Sequence, residues 1–317
     1  MNPANASPSP ASRGLGLHRR PLLLGAALSP LAALAGCSAF NYAQPDAPQA
    51  LAEVGPLQPR PRIAVVLGSG GPRGYAHLGV LRVLEDAGIT PDLVVGSSVG
   101  SLIGSFWASG LSAAQIDTLS WQGGPLTVFD PSLFADRGWI RGQRLQDYVN
   151  QGLGGRRLED LPRRMIVVAT RREDKQARYF LQGNAGVAVR ASSAMPGIIS
   201  PVGIAGVEYE DGDESYPVPV SVARAAGAHF VIAVDVSARP GSTPEEASPA
   251  LRERDRRRRL RIDPEVARAD FLIHPDMDYW AGPNRRYFVQ ARAQGEAHAR
   301  VVLPELLARL RQHGALA

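Results

Sequence analysis

The chain has 317 residues, of which 44% are hydrophobic and 21% charged, and its formal net charge at pH 7 is +5. This length and composition suit a globular chain with one large α/β domain or two ordinary ones, and they exclude a polytopic membrane protein. The positive charge does not indicate nucleic-acid binding, because no basic stripe is interleaved with aromatic residues and no nucleic-acid-binding module is recognisable.

The first 37 residues have the pattern of a cleaved bacterial signal peptide. A basic region that includes Arg19-Arg20 precedes an apolar stretch over residues 22–33, which is too short and too interrupted for a membrane span. The stretch ends in Leu34-Ala35-Gly36-Cys37, which resembles the lipobox of bacterial lipoproteins, and Cys37 is the single cysteine. The resemblance implies a diacylglyceryl group on Cys37 and, because Ser38 follows it, a lipid-anchored location on the periplasmic side of the outer membrane. An ordinary secretory signal with an incidental cysteine is the alternative.

Residues 38–61 differ in composition from the segments on either side. They are rich in Ala, Pro and Gln and show no hydrophobic periodicity, which predicts a semi-rigid tether. The folded domain is therefore expected to span residues 62–317, after a signal peptide of residues 1–37 and this tether.

The domain is predicted to open with a β-α-β-α unit. Ile63–Leu67 is a continuous apolar run rich in β-branched residues, as expected of a strand buried on both faces. A glycine turn leads into a predicted helix over Tyr75–Ala87, and a second strand at Leu93–Val95 precedes a helix over Val99–Ala108. This order implies a mostly parallel sheet covered by helices.

The remaining elements are less regular. Further strands are predicted at Met165–Ala169, Arg178–Leu181, Phe230–Val234 and Phe271–Ile273, and helices at Gln143–Gln151, Val187–Ala194, Val220–Ala226 and Gly295–Gln312. The charge run Arg252–Arg261 favours a solvated helix face or a mobile loop, with attraction to an anionic lipid surface as the alternative. The aromatic residues between Trp121 and Trp139 favour core positions over an acyl-chain pocket.

Gly96-Ser97-Ser98-Val99-Gly100 has the G-x-S-x-G pattern of a nucleophile elbow. It lies between two apolar runs and predicts a strand, a sharp turn and a helix, with the hydroxyl of Ser98 exposed at the corner. The N-terminal N–H groups of that helix would point at the hydroxyl. The pattern alone is weak in a chain rich in Gly and Ser, so its meaning depends on two other turns.

A second glycine-rich turn, Gly68–Gly74, also lies between a predicted strand and a predicted helix. Backbone N–H groups at such a turn attract anions, which suits either a phosphate or the oxyanion of a tetrahedral intermediate. The turn matches neither G-x-G-x-x-G nor the P-loop pattern, and no lysine is nearby, so nucleotide binding is disfavoured. A tight turn that needs glycine only for its conformation is the remaining interpretation.

The third turn is Asp211-Gly212, which follows the apolar stretch Val202–Val207. An Asp-Gly pair at a strand end is often only a turn. A serine nucleophile, however, needs a base within hydrogen-bond reach, and an aspartate held against the hydroxyl can be that base directly. The acidic stretch over residues 208–214 has no histidine and no calcium-loop spacing, so neither a metal site nor a cofactor is expected.

Together the three turns resemble the patatin-like phospholipase family over residues 62–237. The family's glycine-rich turn matches Gly70–Gly74, its nucleophile elbow matches Gly96–Gly100, and its Asp-Gly motif matches Asp211-Gly212. The family's Ala-Ser-x-Ala-x-Pro-Gly segment, which borders the site, matches Ala191–Gly197.

Two positions depart from the family pattern. Ser69 stands where many members have glycine, and Asp213 stands where glycine or alanine is usual. Asp213 would place a second carboxylate near the site. Asp211 is favoured as the functional aspartate because it precedes the glycine.

The resemblance implies a three-layer α/β/α fold with a mostly parallel central sheet, and a lipid acyl hydrolase of the phospholipase A or esterase type. It implies that Ser98 is the nucleophile and Asp211 the base of a Ser-Asp dyad that forms an acyl-enzyme. Gly70, Gly71 and Arg73 would supply the N–H groups of the oxyanion hole. The expected substrate is a phospholipid or another lipid ester.

Two other functions stay open. A Ser-His-Asp esterase, or an acyltransferase with the same elbow, is the first; the triad would need a histidine late in the chain, for which His274 is the candidate. A non-catalytic, lipid-binding envelope lipoprotein is the second. Such a chain has no need to retain the serine, the aspartate and the glycines together.

Overall fold

The computed structural model describes residues 41–122 and 128–316. The predicted signal peptide, Cys37 and residues 38–40 of the predicted tether lie outside the described residues. Within the described ranges, no helix is both long and apolar enough to cross a membrane.

A ten-stranded mixed sheet forms the centre of the described structure. Its strands are β1 (Asn41–Tyr42), β2 (Ala50–Leu51), β3 (Ile63–Leu67), β4 (Leu93–Ser97), β5 (Arg164–Arg171), β6 (Ala177–Phe180), β7 (Val202–Ile204), β8 (Val207–Glu210), β9 (Phe230–Val234) and β10 (Phe271–Ile273). The strand order is β1-β7-β8-β5-β4-β3-β9-β10, with β6 also beside β5 and β2 beside β6. The strands β5, β4, β3, β9 and β10 run parallel to one another, whereas β6 and β8 pair antiparallel with β5.

Helices cover both faces of this sheet. They are α1 (Tyr75–Asp86), α2 (Val99–Ala108), α3 (Ala113–Trp121), α4 (Gln143–Gly152), α5 (Ala185–Ser192), α6 (Val220–Ala225), α7 (Pro249–Val266) and α8 (Arg285–Gln312). In β3, Ile63, Val65 and Leu67 face a core shared with α1, α2, α5 and α8, whereas Ala64 and Val66 face a core shared with α6 and α7. This alternation follows from the period-two geometry of a strand. The fold is therefore the three-layer α/β/α architecture that was predicted.

The segment predicted as a tether differs in the structure, where residues 41–61 belong to the domain. Asn41–Tyr42 pairs in parallel with β7, and Ala50–Leu51 pairs antiparallel with β6. The Tyr42 hydroxyl donates to the Asp46 carboxylate at 2.7 Å, and the Asn184 side chain donates to the same carboxylate at 2.8 Å. The segment joins the sheet through backbone hydrogen bonds to distant strands, and such bonds need no hydrophobic periodicity.

The last helix begins at Arg285, ten residues before the predicted start at Gly295. Gly295 lies inside α8, at the point where the backbones of α8 and α1 come into contact, and this contact leaves no room for a side chain. A Cβ atom at Gly295 would lie 2.2 Å from the Ala76 carbonyl oxygen, and a Cβ atom at Gly79 would lie 2.1 Å from the Arg292 carbonyl oxygen. The glycine therefore marks a close helix crossing and not a helix boundary.

The charge run Arg252–Arg261 lies within α7 and is not a mobile loop. Arg256 and Arg257 are exposed and pair with Glu253 on the same helix. Arg258 points the other way and is mostly buried. The helix thus has the predicted solvated face and, in addition, a cationic face that reaches into the protein.

Candidate active site

Ser98 lies at the corner between β4 and α2, at the carboxyl end of the parallel strands. Its backbone has φ 53° and ψ −126°, a conformation that residues other than glycine adopt only with strain. A Cβ atom at Gly96 would lie 2.6 Å from the Gly100 carbonyl oxygen, and one at Gly100 would lie 2.0 Å from the Leu67 carbonyl oxygen. Both glycines are required by these contacts, and the strand, sharp turn and helix are those that the sequence pattern predicts.

Asp211 faces Ser98 from the neighbouring turn. The Ser98 Oγ donates to the Asp211 Oδ2 at 2.8 Å, and both residues are buried. The backbone N–H of Asp211 donates to the Ala194 carbonyl at 3.0 Å, and the Asp211 carbonyl accepts from the Thr170 hydroxyl at 2.8 Å. These bonds on both sides of the residue hold its carboxylate against the serine.

The protonation of the Asp211 carboxyl is shifted by its surroundings. Burial and the nearby negative charge of Asp213 raise the pKa of Asp211 to about 8, although hydrogen bonds from the Asp213 N–H and the Ser98 hydroxyl oppose this rise. The Asp213 N–H donates to the Asp211 Oδ1 at 2.8 Å, so each carboxylate oxygen has a donor. A group with this pKa can take up a proton and release it again near neutral pH.

The turn Gly68–Gly74 packs directly against the elbow. A Cβ atom at Gly74 would lie 2.2 Å from the Cγ2 of Val99, the first residue of α2. Among the described residues, the N–H groups of Gly70 and Gly71 have no hydrogen-bond partner, whereas the Arg73 N–H donates to the Gly70 carbonyl at 3.2 Å. Of the three predicted oxyanion-hole donors, Gly70 and Gly71 therefore remain available, and Arg73 is already engaged within the turn.

Two side chains hold the glycine turn in place. The Arg73 guanidinium donates to the Tyr279 carbonyl and lies 5.9 Å from the centre of the Tyr279 ring. The His77 Nε2 lies 2.8 Å from the Gly68 carbonyl oxygen. Burial lowers the pKa of His77 to about 4, so the ring is neutral and donates to this carbonyl.

His274, the histidine that a Ser-His-Asp arrangement would need, contacts other groups. Its Nε2 lies 3.1 Å from the Ser237 carbonyl oxygen and 3.7 Å from the Asp235 carboxylate. In the part of the chain that the structure describes, the Ser98 hydroxyl is hydrogen-bonded to Asp211 and not to a histidine. The structure therefore brings together Ser98, Asp211 and the glycine turn, but not His274.

A family model for patatin-like phospholipases matches residues 65–224 of this chain. The range contains the glycine turn, Ser98 and Asp211 in one continuous match. The chain belongs to the patatin-like phospholipase family.

Curated relatives match a part of this chain. An uncharacterized NTE family protein of Mycobacterium tuberculosis is 33% identical over 195 residues, which are 60% of this chain and 53% of that protein. Patatin-like phospholipase domain-containing protein 6 of Homo sapiens is 33% identical over 185 residues, or 55% of this chain and 13% of that protein. The chain thus spans about half the length of the mycobacterial relative and a small part of the human one.

A solved structure supports the patatin-like fold. The crystal structure of VipD from Legionella pneumophila matches with a TM-score of 0.53 over 80% of this chain and 70% of that chain. The sequence identity is 14%, so the similarity concerns the fold alone.

Ser192 is a contact of the patatin-like elbow whose role the sequence did not reveal. Its hydroxyl accepts the Ser98 backbone N–H at 2.9 Å and donates to the Val168 carbonyl at 2.5 Å. Ser192 lies in the segment Ala191–Gly197, which was predicted to border the site, but the pattern gave no reason to single out this serine. It ties the Ser98 turn to the central strand β5.

Large apolar side chains are exposed at the bordering segment Ala191–Gly197 and on the loop that is hydrogen-bonded beside it. Leu133, Phe134 and Trp139 are 98%, 92% and 75% exposed, which differs from the core positions predicted for the aromatic residues of this region. The backbone N–H of Trp139 donates to the Ile198 carbonyl at 2.8 Å, and the exposed Met195 and Ile198 flank Pro196-Gly197 in the bordering segment. We call Leu133, Phe134, Trp139, Met195 and Ile198 the apolar rim.

Proposed function

We propose that this protein is a serine hydrolase that cleaves carboxylic ester bonds of lipids through a Ser98–Asp211 dyad. The observation that carries the proposal is the 2.8 Å hydrogen bond from the Ser98 Oγ to the Asp211 Oδ2. It occurs at a strained turn of the type that presents a nucleophile. Family membership supports the same reaction class.

The first half of the proposed reaction forms an acyl-enzyme. Asp211 takes the proton of the Ser98 hydroxyl while the Oγ forms a bond to the ester carbonyl carbon, and the carbonyl electron pair moves onto its oxygen. When the pair returns, the bond to the alcohol oxygen breaks, and the leaving alcohol takes the proton from Asp211. Water then repeats the sequence with Asp211 as its base, which frees the fatty acid and restores the Ser98 hydroxyl.

The negative oxygen of the tetrahedral intermediate needs donors that are already in place. The N–H groups of Gly70 and Gly71 are without partners in the described structure and belong to the turn that packs on the elbow. The N–H of Val99 is the first of α2, so it also lacks an intrahelical acceptor. Loss of one such donor typically costs about 3–4 kcal/mol of transition-state stabilisation.

A lipid fits the surroundings of this site better than a polar ester does. The apolar rim offers exposed aromatic and aliphatic side chains at the segment that borders the site, and acyl chains are bound by such surfaces. We extend the proposal to a lipid-anchored protein in the bacterial envelope, on the periplasmic side of the outer membrane. This part is supported by the sequence Leu34-Ala35-Gly36-Cys37, which resembles a lipobox. Acyl chains on Cys37 would hold the protein at the membrane, because each buried methylene contributes about 0.8 kcal/mol.

The dyad is tested with Ser98→Ala and Asp211→Asn, assayed on a medium-chain p-nitrophenyl ester, with Ser97→Ala as the matched control from the same turn. Both dyad variants should lose at least 10³-fold in kcat, by analogy with other nucleophile–base pairs, whereas Ser97→Ala should retain most of it. A fluorophosphonate probe should label wild-type protein at Ser98. Full activity of Ser98→Ala, or an inactive His274→Ala variant, would overturn the proposed dyad.

A further inference from the structure

Arg258 of α7 joins two turns of the site that are distant in sequence. Its Nε donates to the Asp213 Oδ1 at 2.8 Å, and its Nη2 donates to the Ser69 carbonyl at 3.0 Å and to the Ser69 Oγ at 2.7 Å. The Ser69 hydroxyl also donates to the Asp213 carboxylate. The Arg258 side chain is 15% exposed, so the contacts are largely shielded from water.

Ser69 and Asp213 are the two positions at which this chain departs from the family pattern. Glycine at both positions would leave the Arg258 side chain without these side-chain partners. The two departures therefore form one unit with Arg258, which we call the Arg258 bridge (Ser69, Asp213 and Arg258). A buried guanidinium is stable only when it is paired, and the bridge supplies that pairing.

The Arg258 bridge touches both halves of the reaction site. Ser69 immediately precedes Gly70, whose N–H is one of the proposed oxyanion donors. Asp213 donates its backbone N–H to the Asp211 Oδ1 at 2.8 Å. The bridge thus connects the turn of the proposed oxyanion donors to the turn of the proposed base, and in the described structure the hydrogen bonds of Arg258 go to Ser69 and Asp213 and not to Ser98.

The bridge also sets the charge near Asp211. Burial alone would raise the pKa of Asp213, but the Arg258 charge and the hydrogen bonds from Ser69 and Arg258 lower it. Asp213 is therefore an anion whose repulsion of the Asp211 carboxylate is offset by the Arg258 cation. The other charged groups around this cluster are Arg73 in the glycine turn, Glu210 of β8, Glu214 beside Asp213, Asp235 after β9, Asp255 and Arg261 of α7, and Lys175 after β5.

We propose that Arg258 is a positioning residue for the reaction, which holds the Gly70–Gly71 turn at a fixed distance from the Ser98–Asp211 pair. The inference rests on the proposed function, because it assigns Arg258 a role in that same reaction. Arg258 acts through Ser69 and Asp213 and does not itself touch the ester.

The first test compares Arg258→Gln, Arg258→Lys and the control Arg256→Gln on a soluble p-nitrophenyl ester. Arg258→Gln should lower kcat about 10- to 100-fold, the usual size for a small misplacement of reacting groups. It should also move the acid limb of the pH profile about one unit to higher pH, because Asp213 is no longer offset. Arg258→Lys should keep the pH profile and still lose kcat, since an ammonium keeps the charge but not the forked geometry. Arg256 lies two residues away and is exposed, so Arg256→Gln should resemble wild type.

The second test is a double-mutant cycle in a Ser69→Gly/Asp213→Gly background, which has the residues usual in the family. There, Arg258→Gln should change kcat less than three-fold, because the side-chain partners of the guanidinium are already gone and only the backbone carbonyl at position 69 remains. An equally large loss in both backgrounds would assign Arg258 a general structural role and overturn the proposal. Wild-type kcat and pH profile in Arg258→Gln would also overturn it, and an inactive Ser98→Ala measured in parallel would show that the proposed dyad still stands.

Discussion

The hydroxyl of Ser192 accepts the backbone N–H of Ser98 at 2.9 Å and at the same time donates to the Val168 carbonyl. The Ser98 turn is thus tied to β5 by a side chain of α5. Ser192→Ala would leave the buried Ser98 N–H and the Val168 carbonyl without this partner, which costs about 1–3 kcal/mol per group. We expect a lower melting temperature and slower fluorophosphonate labelling of Ser98.

Ser193 is the matched control for this variant, because its buried hydroxyl has no hydrogen-bond partner in the described structure. Ser193→Ala should leave melting temperature and labelling rate near the wild-type values. Equal effects of the two variants would show that the Ser192 hydrogen bonds do not hold the elbow.

The raised pKa of Asp211 predicts that ester hydrolysis is faster at alkaline pH than at acidic pH. A base with a pKa of about 8 is mostly protonated at pH 6 and about half ionised at pH 8. The rate constant kcat/KM should therefore rise about 50-fold between these values. Asp213→Asn removes one of the charges that raise this pKa, so the acid limb of its pH profile should lie at lower pH than that of wild type. A stopped or continuous ester assay from pH 5 to 10 measures the acid limbs of both proteins. A flat wild-type profile over this range would contradict the role of Asp211 as base.

The same pKa has a consequence for folding. Asp211 binds its proton more tightly in the folded chain than in the unfolded chain, where the pKa is near 4. Its stabilising contribution is complete below about pH 4 and is lost as the pH rises through about 8. Asp211→Asn should remove this loss. The melting temperature of the variant minus that of wild type should therefore increase between pH 5 and pH 9. Parallel curves for the two proteins would exclude the raised pKa.

The apolar rim should matter only when the substrate lies in a lipid surface. Phe134→Asp and Trp139→Asp should each lower hydrolysis of phospholipid vesicles about 10-fold or more, because burying one such side chain contributes about 1.5–3 kcal/mol. Activity on a soluble short-chain ester should stay within two-fold of wild type. Val301→Asp, at an exposed apolar position of α8, is the control. Loss on both substrates would indicate damage to the site and not to lipid binding.

The lipobox resemblance is tested in the bacterial envelope. Cys37→Ala should abolish incorporation of labelled palmitate, because the thiol is the proposed acceptor of the diacylglyceryl group. Ser38→Asp should keep the label but retain the protein in the inner-membrane fraction. Palmitate incorporation into Cys37→Ala would rule out this attachment site.

Local patterns predicted the centre of the fold well. Ile63–Leu67 and Phe230–Val234 occur as predicted because a continuous β-branched run has few options other than a buried strand. The hairpin of β7 and β8, and the pairing of Asn41–Tyr42 with β7, were not predicted. Their partners are set by tertiary contacts between distant segments, which no local pattern contains.

In the site, too, local patterns predicted single residues but not the contacts between distant ones. Ser98 and Asp211 are 113 positions apart, so spacing alone could not bring them together, and their pairing came from the family resemblance. The inward direction of Arg258 was missed because α7 is polar on all sides and gives no hydrophobic stripe to orient it. The positions of Ser69 and Asp213 in space distinguish Arg258 from the exposed Arg256 and Arg257.

The backbone angles at Ser98 make the serine needed for the proposed reaction less stable at this position than a glycine. At φ 53° and ψ −126° the fold would prefer glycine, and the side chain that the proposed reaction needs costs about 1–3 kcal/mol there. Ser98→Gly should therefore melt at a higher temperature than wild type while it is unable to form an acyl-enzyme. The folded backbone at this corner therefore favours glycine over serine, and the proposed role of Ser98 as nucleophile accounts for the serine side chain there.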